Sequence, residues 1–344
     1  MHRMTGRERV FAVLNGQHPD HRPYMPITMM FAADVLEVKY LQYIRDHKTM
    51  ADAQIKTAEM FGFDHVSTIA PTSEAVDLGA RFQWFDDQPP GIIEQDALLA
   101  DKSSLTQLPA PASVFGASME DRVRGVELLR ERVGNELLVE GWVEGPCSDA
   151  ADLRGMNRLM VDFADDPGFV ADLFNYSVEL AIGFAAAQVA AGADMIGIGD
   201  PPSSLVSPRM YKEQVWAWQK RLVDAIHTMG AKVRLHVCGN TRKILANLGQ
   251  LGCDLVDVDS PVPMEHARAQ VGPTQALIGN LDPVRDVRNG SPESIQNSLG
   301  ALQHQAGEGW VVAAGCEIVR DTPHENLHAM RIFAESHAAE AVST

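Results

Sequence analysis

A histidine and a cysteine stand two residues apart at the end of an apolar segment, in the stretch RLHVCGN. Residues 233–237 have the composition of a buried β-strand. Because side chains at i and i+2 of a strand point to the same side, His236 and Cys238 are placed to bind one metal ion together. The Gly-Asn pair that follows predicts a turn. A single His-x-Cys pair is weak evidence for a metal site, because such a pair is more often a half-buried histidine beside a packed thiol.

A distant cysteine changes this balance. Cys316 follows the apolar run WVVAAG, which predicts the last β-strand of the chain. In a closed parallel barrel the carboxyl ends of the strands converge, so Cys316 can approach His236 and Cys238 across the barrel mouth. One imidazole and two thiolates suit Zn²⁺, and three protein ligands leave the fourth position open, as in catalytic zinc sites. Mg²⁺ and Ca²⁺ prefer oxygen ligands.

The ligand set also indicates a reaction class. Two thiolate ligands make zinc a weaker Lewis acid than three histidines would. A substrate thiol bound to such a zinc ion is deprotonated at neutral pH, and its sulfur stays nucleophilic because the cysteines already donate charge. The residues alone therefore predict alkyl transfer to sulfur.

The elements that must position these residues follow from the rest of the sequence. Short runs rich in Val, Ile and Leu alternate with helical patterns, which indicates parallel strands joined by crossover helices. About eight such units predict an α/β fold, a (β/α)8 barrel of the TIM type. An amphipathic helix capped near Thr5 forms an N-terminal helical extension, and residues 73–111 predict an inserted hairpin and loop region. No linker divides the chain, so one domain is expected over residues 1–344.

The pattern gives approximate bounds for these elements. The predicted strands are 24–29, 65–69, 137–142, 194–198, 233–237, 255–257, 275–278 and 310–313. The predicted helices after the N-terminal one are 33–45, 50–61, 118–133, 153–164, 167–190, 208–229, 242–248, 264–269, 294–304 and 323–336.

Catalytic residues of such barrels lie at the carboxyl ends of the strands. A carboxylate there can complete the zinc coordination or orient His236, and the candidates for either role are Glu144, Asp200 and Asp282. Asp200 and Asp282 also precede turns, where each can instead cap a helix. Five further residues are candidates for the substrate pocket, with core packing or turn formation as the alternative for each: Met29, Met30, Cys147, Asn240 and Asn280.

Composition excludes several classes of partner. The formal net charge of −17 argues against nucleic-acid binding, which needs a basic face. The pattern shows no apolar run of the roughly 18 residues that span a bilayer and no signal peptide, so a cytoplasmic location is expected. Four cysteines in 344 residues, in a reducing compartment, favour metal binding or catalysis over disulfides.

The motifs around these residues resemble a known family. The stretches RLHVCGNT, LIGNLDPV and AAGCEIVRDTPHENLHAM, together with the opening MTGRERVFAVLNGQHPDHRPYMPI, resemble the uroporphyrinogen decarboxylase superfamily. Within it, they are similar to the zinc-containing, corrinoid-dependent methyltransferases, which include methylcobamide:coenzyme M methyltransferases. The resemblance implies zinc at His236, Cys238 and Cys316. It also implies methyl transfer between a corrinoid (cobalamin), usually carried by a separate small protein, and a small-molecule methyl donor or thiol acceptor.

Two alternatives remain within the same fold. Decarboxylases of the superfamily carry an arginine-rich segment after the first strand, which grips substrate carboxylates. The matching stretch here, YMPITMMFAADVLEVKY, has no arginine and three methionines, so decarboxylation is disfavoured. The other alternative is an accessory protein that binds zinc or a corrinoid without turnover. The sequence leaves open the methyl donor or acceptor, the direction of transfer, the fourth zinc ligand and the oligomeric state.

Overall fold

The main sheet consists of seven parallel strands, as seen in a computed structural model that describes residues 3–337. The strands are β1 His65–Ser67, β4 Leu138–Glu144, β5 Met195–Gly199, β6 Lys232–His236, β7 Leu255–Asp257, β8 Ala276–Ile278 and β9 Trp310–Val311. They pair in the order β1-β4-β5-β6-β7-β8-β9, so each barrel strand lies beside the next one in sequence. The two remaining strands, β2 Phe82–Gln83 and β3 Gly91–Ile92, form the separate antiparallel hairpin predicted within residues 73–111.

The segment at Tyr24 takes the eighth position of the barrel. Val312 donates its N–H to the Pro23 carbonyl, Tyr24 forms a parallel bridge with Val312, and Asp64 donates its N–H to the Tyr24 carbonyl. This segment therefore joins the last strand to the first, and the predicted α/β barrel is confirmed. The predicted strand 24–29 is reduced to this bridge, because Pro26 has no N–H to donate to a ladder.

Helices cover the outside of the sheet and its N-terminal end. They are α1 Gly6–Leu14, α2 Met30–Leu36, α3 Tyr40–Arg45, α4 His47–Phe61, α5 Ser73–Asp77, α6 Ala117–Val133, α7 Pro146–Arg154, α8 Met156–Asp165, α9 Pro167–Ala190, α10 Pro208–Met210, α11 Trp216–Thr228, α12 Leu245–Leu248, α13 Met264–Val271, α14 Pro292–Ala306 and α15 His324–Ser336. Short 3-10 segments lie at Glu94–Asp96, Lys102–Gln107, Pro111–Ser113 and Pro201–Leu205, and π-helical segments lie at Tyr211–Val215 and Pro283–Arg288.

Two predicted helices are each split in two. The helix predicted over 33–45 breaks where Glu37 adopts a left-handed conformation (φ 63°) at the end of α2. The helix predicted over 153–164 breaks at Gly155, whose φ of 87° suits a residue without a Cβ. The N-terminal helix is capped by Thr5 through a capping box with Glu8, as predicted. The prediction of one domain over 1–344 stays a prediction, since residues 1, 2 and 338–344 lie outside the described chain.

Helix α9 is the one described helix whose length and composition would allow it to cross a membrane. Its most apolar 18-residue window has a mean hydropathy of 1.3 and is half buried. The core helix of a barrel meets the same criteria, and α9 packs against β4, α7 and α11. The sequence pattern did not indicate an apolar segment of this length, because charged residues interrupt the run.

Strand register sets the relative positions of the residues at the barrel mouth. Glu144 on β4 pairs with Gly199 on β5, and Gly199 pairs with His236 on β6. On the next interface, Arg234 of β6 pairs with Leu255 of β7, which brings the ends of these two strands to the same level. The mouth is thus lined by strand ends at one height.

Candidate metal centre

Three metal-ligating side chains meet at the barrel mouth. The Nε2 atom of His236 lies 2.9 Å from Cys238 Sγ and 3.8 Å from Cys316 Sγ, and the two sulfur atoms are 3.4 Å apart. A tetrahedral zinc ion with bonds of about 2.3 Å to sulfur and about 2.0–2.1 Å to nitrogen separates such ligands by roughly 3.6–3.8 Å. The three donor atoms are therefore spaced within several tenths of an ångström of a zinc ligand set.

Local structure explains why these side chains converge. His236 ends β6, and Cys238 follows two residues later, directly before Gly239 (φ 89°), where the chain turns. Cys316 follows the bridge between Ala314 and Leu281 beyond the end of β9. A Cβ on Gly315 would lie 2.5 Å from the Ser260 backbone nitrogen. Glycine at this position lets the Cys316 loop pass close to the loop after β7.

The second ring nitrogen of His236 is held by a buried ion pair. Its Nδ1 lies 2.6 Å from Asp257 Oδ2, and Asp257 in turn accepts hydrogen bonds from Arg234 Nε (2.8 Å) and Nη2 (3.0 Å). Burial lowers the pKa of His236, but the Asp257 carboxylate and, to a smaller extent, Cys316 outweigh burial and raise it to about 10. A carboxylate on Nδ1 fixes the tautomer that turns the Nε2 lone pair toward a metal.

The two cysteines share one proton unequally. The hydrogen bond from the Cys238 thiol is the largest of several effects that lower the pKa of Cys316 to about 4, with His236 adding to it and burial opposing it. The same hydrogen bond, followed by burial, raises the pKa of Cys238. The hydrogen bond from Cys238 therefore favours the thiolate form of Cys316, which is the form that binds metal.

The three side chains form part of the wall of a cavity of about 360 Å³. Apolar groups make up much of the remaining wall, among them Ile27, Met29, Ile69 and Trp142. The Trp142 ring lies 6.3 Å from the His236 ring, centroid to centroid. A small molecule in this cavity would thus contact both apolar surface and the open side of the three ligands.

The three predicted carboxylates have different surroundings. Glu144 lines the cavity, but its carboxylate lies outside the cluster that the three ligands form. Asp200 is fully buried and accepts hydrogen bonds from Ser148 N–H (2.8 Å) and Gln219 Nε2 (2.6 Å). Asp282 caps the π-helical segment Pro283–Arg288. Among the described residues none of the three hydrogen-bonds to the His236 ring, and the carboxylate that meets its Nδ1 is that of Asp257.

Of the five residues predicted for the substrate pocket, Met29 alone lines the cavity within the described chain. Met30 begins α2 beside it and donates its N–H to Glu317. Cys147 is fully buried in α7, and burial raises the pKa of its thiol. Asn240 is exposed and accepts from the Arg242 N–H in a turn. Asn280 donates to the Val262 carbonyl (2.7 Å), so it ties two loops together.

Sequence reasoning placed Asp257 at a strand end of the barrel mouth without assigning it a role, and it missed Trp142 and Asp152. Asp257 directly follows the apolar residues of a predicted strand, and this position was the only available signal. Trp142 and Asp152 belong to β4 and α7 and line the cavity. The position of Asp152 depends on how α7 begins immediately after β4, which the sequence pattern placed in a loop.

A second group of metal-ligating residue types, Asp46, His47 and Asp121, lies on the outside of the barrel. Asp46 caps α4 by accepting from the Thr49 N–H. Asp121 accepts from His47 and forms an ion pair with Arg122. Local hydrogen bonds and ion pairs thus account for all three.

Several known proteins are similar to this chain over nearly its whole length. A methylcobamide:CoM methyltransferase of Methanosarcina mazei is 29% identical over 335 residues, which cover 95% of this chain and 96% of that protein. A second methylcobamide:CoM methyltransferase, from Methanosarcina barkeri, is 25% identical over 351 residues, with 96% and 97% covered. Similarity to a uroporphyrinogen decarboxylase of Streptomyces coelicolor reaches 35% identity but covers 34% of this chain.

Solved structures agree on the fold. A methyltransferase from Methanosarcina mazei superimposes with a TM-score of 0.81 at 22% identity, covering 97% of this chain and 99% of its own. A putative vitamin-B12-independent methionine synthase from Listeria monocytogenes has a TM-score of 0.56 at 12% identity, covering 91% and 94%. The family model for uroporphyrinogen decarboxylase (URO-D) matches residues 5–337. The chain belongs to the uroporphyrinogen decarboxylase family.

Proposed function

We propose that this chain is a zinc-dependent methyltransferase that moves a methyl group between a corrinoid and a small molecule, using a zinc-bound thiolate. The observation that carries the proposal is the convergence of His236, Cys238 and Cys316 in the wall of a cavity at the barrel mouth. Similarity to methylcobamide:CoM methyltransferases along 95% of the chain supports the same reaction class.

Each residue of the site has a defined task under this proposal. His236, Cys238 and Cys316 hold the zinc ion, and Asp257 keeps Nδ1 of His236 protonated so that Nε2 is the ligand atom. Zinc bound there supplies a site where a substrate thiol is present as thiolate at neutral pH. The apolar wall around Trp142 keeps bulk water away from the sulfur and leaves the thiolate poorly solvated, which favours its attack on a methyl group.

The corrinoid is proposed to reside on a separate small protein that docks over the barrel mouth. The cavity volume of about 360 Å³ falls at the lower end of the range for small-molecule sites, roughly 300–1,000 Å³. Such a cavity suits a small thiol acceptor or methyl donor and leaves the much larger corrinoid ring outside. Thiolate ligands need a reducing compartment, so the proposed location is the cytoplasm.

The lining of the cavity disfavours decarboxylation of a porphyrinogen. Among residues 3–337, no arginine or lysine lines this cavity. A substrate with several carboxylates would lose its hydration there without gaining ion pairs. Methyl transfer needs no such cationic groups at the reacting sulfur.

Zinc content and methyl transfer test the proposal together. Protein expressed in zinc-supplemented medium and dialysed is expected to contain one zinc ion per chain, and Cys316→Ser is expected to lose most of it. Cys253→Ser is the matched control, because Cys253 is a buried thiol before β7, at the opposite end of the barrel. Zinc content that is unchanged in Cys316→Ser would overturn the proposed ligand set.

Visible absorbance measures the reaction itself. Wild-type protein incubated with methylcobalamin and small thiols is expected to convert it to demethylated cobalamin, and Cys316→Ser is expected to be at least about 100-fold slower, as for loss of a residue needed in the transition state. The Cys253→Ser protein is expected to react like the wild type. Tight cobalamin binding with no demethylation by any thiol would favour an accessory role instead.

A further inference from the structure

Three acidic side chains belong to the wall of the cavity that contains the three ligands. Glu144 from β4 and Asp152 from α7 line the cavity, and Glu317 lies beside Cys316. Glu317 accepts hydrogen bonds from the backbone N–H groups of Met29 and Met30, so its charge is partly compensated. Within the described chain no arginine or lysine shares this lining.

The carboxylates of Glu144 and Asp152 form neither hydrogen bonds nor ion pairs within the described part of the chain. The Glu144 side chain is buried, with 8% of the residue exposed, yet its carboxylate makes no hydrogen bond or ion pair with any residue of 3–337, and neither does that of Asp152. Two more acids lie behind them. Glu74 accepts a hydrogen bond from the Glu144 backbone N–H, and both carboxylate oxygens of Asp149 are buried without a partner.

A buried group of acids without cations is costly, because each charge loses hydration and repels the others. Burial, followed by the charge of Asp149, raises the pKa of Glu74 to about 8, and burial with the charge of Glu74 raises that of Glu144 well above its usual value. A cation within the cavity relieves both costs, while an anion adds to them. The protein's net charge of −17 also favours cations over anions, at longer distances.

Strand register places the unpartnered carboxylate at a fixed distance from the ligands. Glu144, Gly199 and His236 are paired residues on three adjacent strands, so the Cα atoms of Glu144 and His236 are roughly 10 Å apart, two strand spacings. Gly199 between them has no side chain, and a Cβ there would lie 2.9 Å from the Trp142 ring. The Trp142 ring therefore packs over Gly199 and forms apolar cavity wall between the carboxylate and the three ligands, along which a short molecule can lie.

We infer that the small-molecule substrate of this cavity carries a positive charge, an ammonium group that binds at Glu144 and Asp152 while the sulfur or methyl group lies at the three ligands. This inference rests on the proposed methyltransferase function and narrows its substrate class. Coenzyme M is a two-carbon thiol with a sulfonate, so its charge would face the carboxyl groups. The structure thus assigns this chain a preference for cationic substrates, whereas similar proteins are named for coenzyme M, which is anionic.

Three thiols that differ only in the group at the far carbon provide the test. Cysteamine carries an ammonium, 2-mercaptoethanol a hydroxyl and coenzyme M a sulfonate. Isothermal titration calorimetry on zinc-loaded protein is expected to give the tightest binding for cysteamine and the weakest for coenzyme M, with at least about a tenfold difference between the two, as expected for one close charge pair. Equal or tighter binding of coenzyme M would overturn the inference.

Two variants identify the carboxylates responsible. Glu144→Gln is expected to weaken cysteamine binding by at least about tenfold and to leave 2-mercaptoethanol within about threefold of wild type. Asp152→Asn, at a less buried position, is also expected to weaken cysteamine binding relative to 2-mercaptoethanol binding. Glu131→Gln, which removes one exposed negative charge from α6, is the control and should change neither. A cysteamine preference that survives both pocket variants would contradict the assignment.

The calorimetry does not depend on turnover, so failure of the inference can be distinguished from failure of the proposed function. Preferential binding of cysteamine without demethylation of methylcobalamin would contradict the methyltransferase proposal and leave the charge preference supported. Demethylation that is fastest with coenzyme M would support the methyltransferase proposal and contradict the charge preference.

Discussion

Replacing Asp257 by asparagine tests whether the carboxylate beneath His236 sets metal affinity. Asp257 Oδ2 accepts from His236 Nδ1 at 2.6 Å and from Arg234 Nη2 at 3.0 Å, while Oδ1 accepts from Arg234 Nε at 2.8 Å. An amide keeps one acceptor and introduces a donor, so at least one of these three hydrogen bonds is lost. The amide also removes the negative charge that makes the imidazole a stronger ligand.

Removing such a partner of a metal-binding histidine lowers metal affinity by about 10–100-fold. This factor corresponds to about 1.4–2.8 kcal/mol of binding free energy. Stability should fall as well, because Arg234 is fully buried and its other carboxylate partner, Glu140, is 3.5 Å away. Breaking a buried ion pair costs about 3–5 kcal/mol of unfolding free energy. Because asparagine keeps one oxygen as an acceptor, the expected loss for Asp257→Asn is close to the lower of these values.

Competition with a chromophoric chelator at pH 7 measures the zinc affinity, and urea unfolding measures the stability. Asp254→Asn is the matched control, since Asp254 pairs with Lys232 and His227 away from the site. The control should lose some stability and keep its zinc affinity. A zinc affinity of Asp257→Asn within about threefold of the wild-type value would refute the reasoning, because the factor expected for such a partner is larger.

Three further predictions concern stability. Gly197→Ala should destabilise the fold by about 1–3 kcal/mol, because the added Cβ would lie 2.2 Å from the Trp142 ring. Gly183→Ala in α9 should stabilise the fold by up to about 1 kcal/mol, because the added Cβ would meet no atom within 4 Å and alanine favours the helix. Thermal unfolding measures both changes. The pKa of Glu74 is raised to about 8, so the folded state binds more protons than the unfolded state between about pH 4.5 and 8, and its contribution to stability should fall as pH rises through this range. Urea unfolding at pH 5 and pH 8 should show a smaller difference for Glu74→Gln than for wild type, and an unchanged difference would contradict the assignment.

The convergence of His236, Cys238 and Cys316 could be predicted because it depends on few steps. The two-residue period of a strand puts His236 and Cys238 on one side, and barrel closure brings the end of the last strand near them. Neither step requires knowledge of side-chain packing. The strand bounds needed were correct to within one or two residues for β6 and β9.

The partner of His236 could not be predicted in the same way. Several acids follow strands in this chain, and the one that meets Nδ1 depends on the register between β6 and β7. A shift of one residue would turn Asp257 to the other face of the sheet. Cys147 shows the same limit, because its side chain faces the core once α7 starts at Pro146. Strand register and the direction in which helix side chains point depend on contacts between distant parts of the chain. A local sequence pattern carries no information on those contacts.

Family membership alone does not decide the chemistry of this barrel. The family takes its name from decarboxylases, and several of the similar proteins are methyltransferases. The residues of the mouth distinguish the two reactions, since thiolates beside His236 suit sulfur chemistry and a lining that has no arginine or lysine among residues 3–337 disfavours polycarboxylates. The same lining then separates substrates within the methyltransferase class, because Glu144 lies across Gly199 from the ligands. One end of the cavity thus selects the reacting atom, and the other selects the charge of the molecule that carries it.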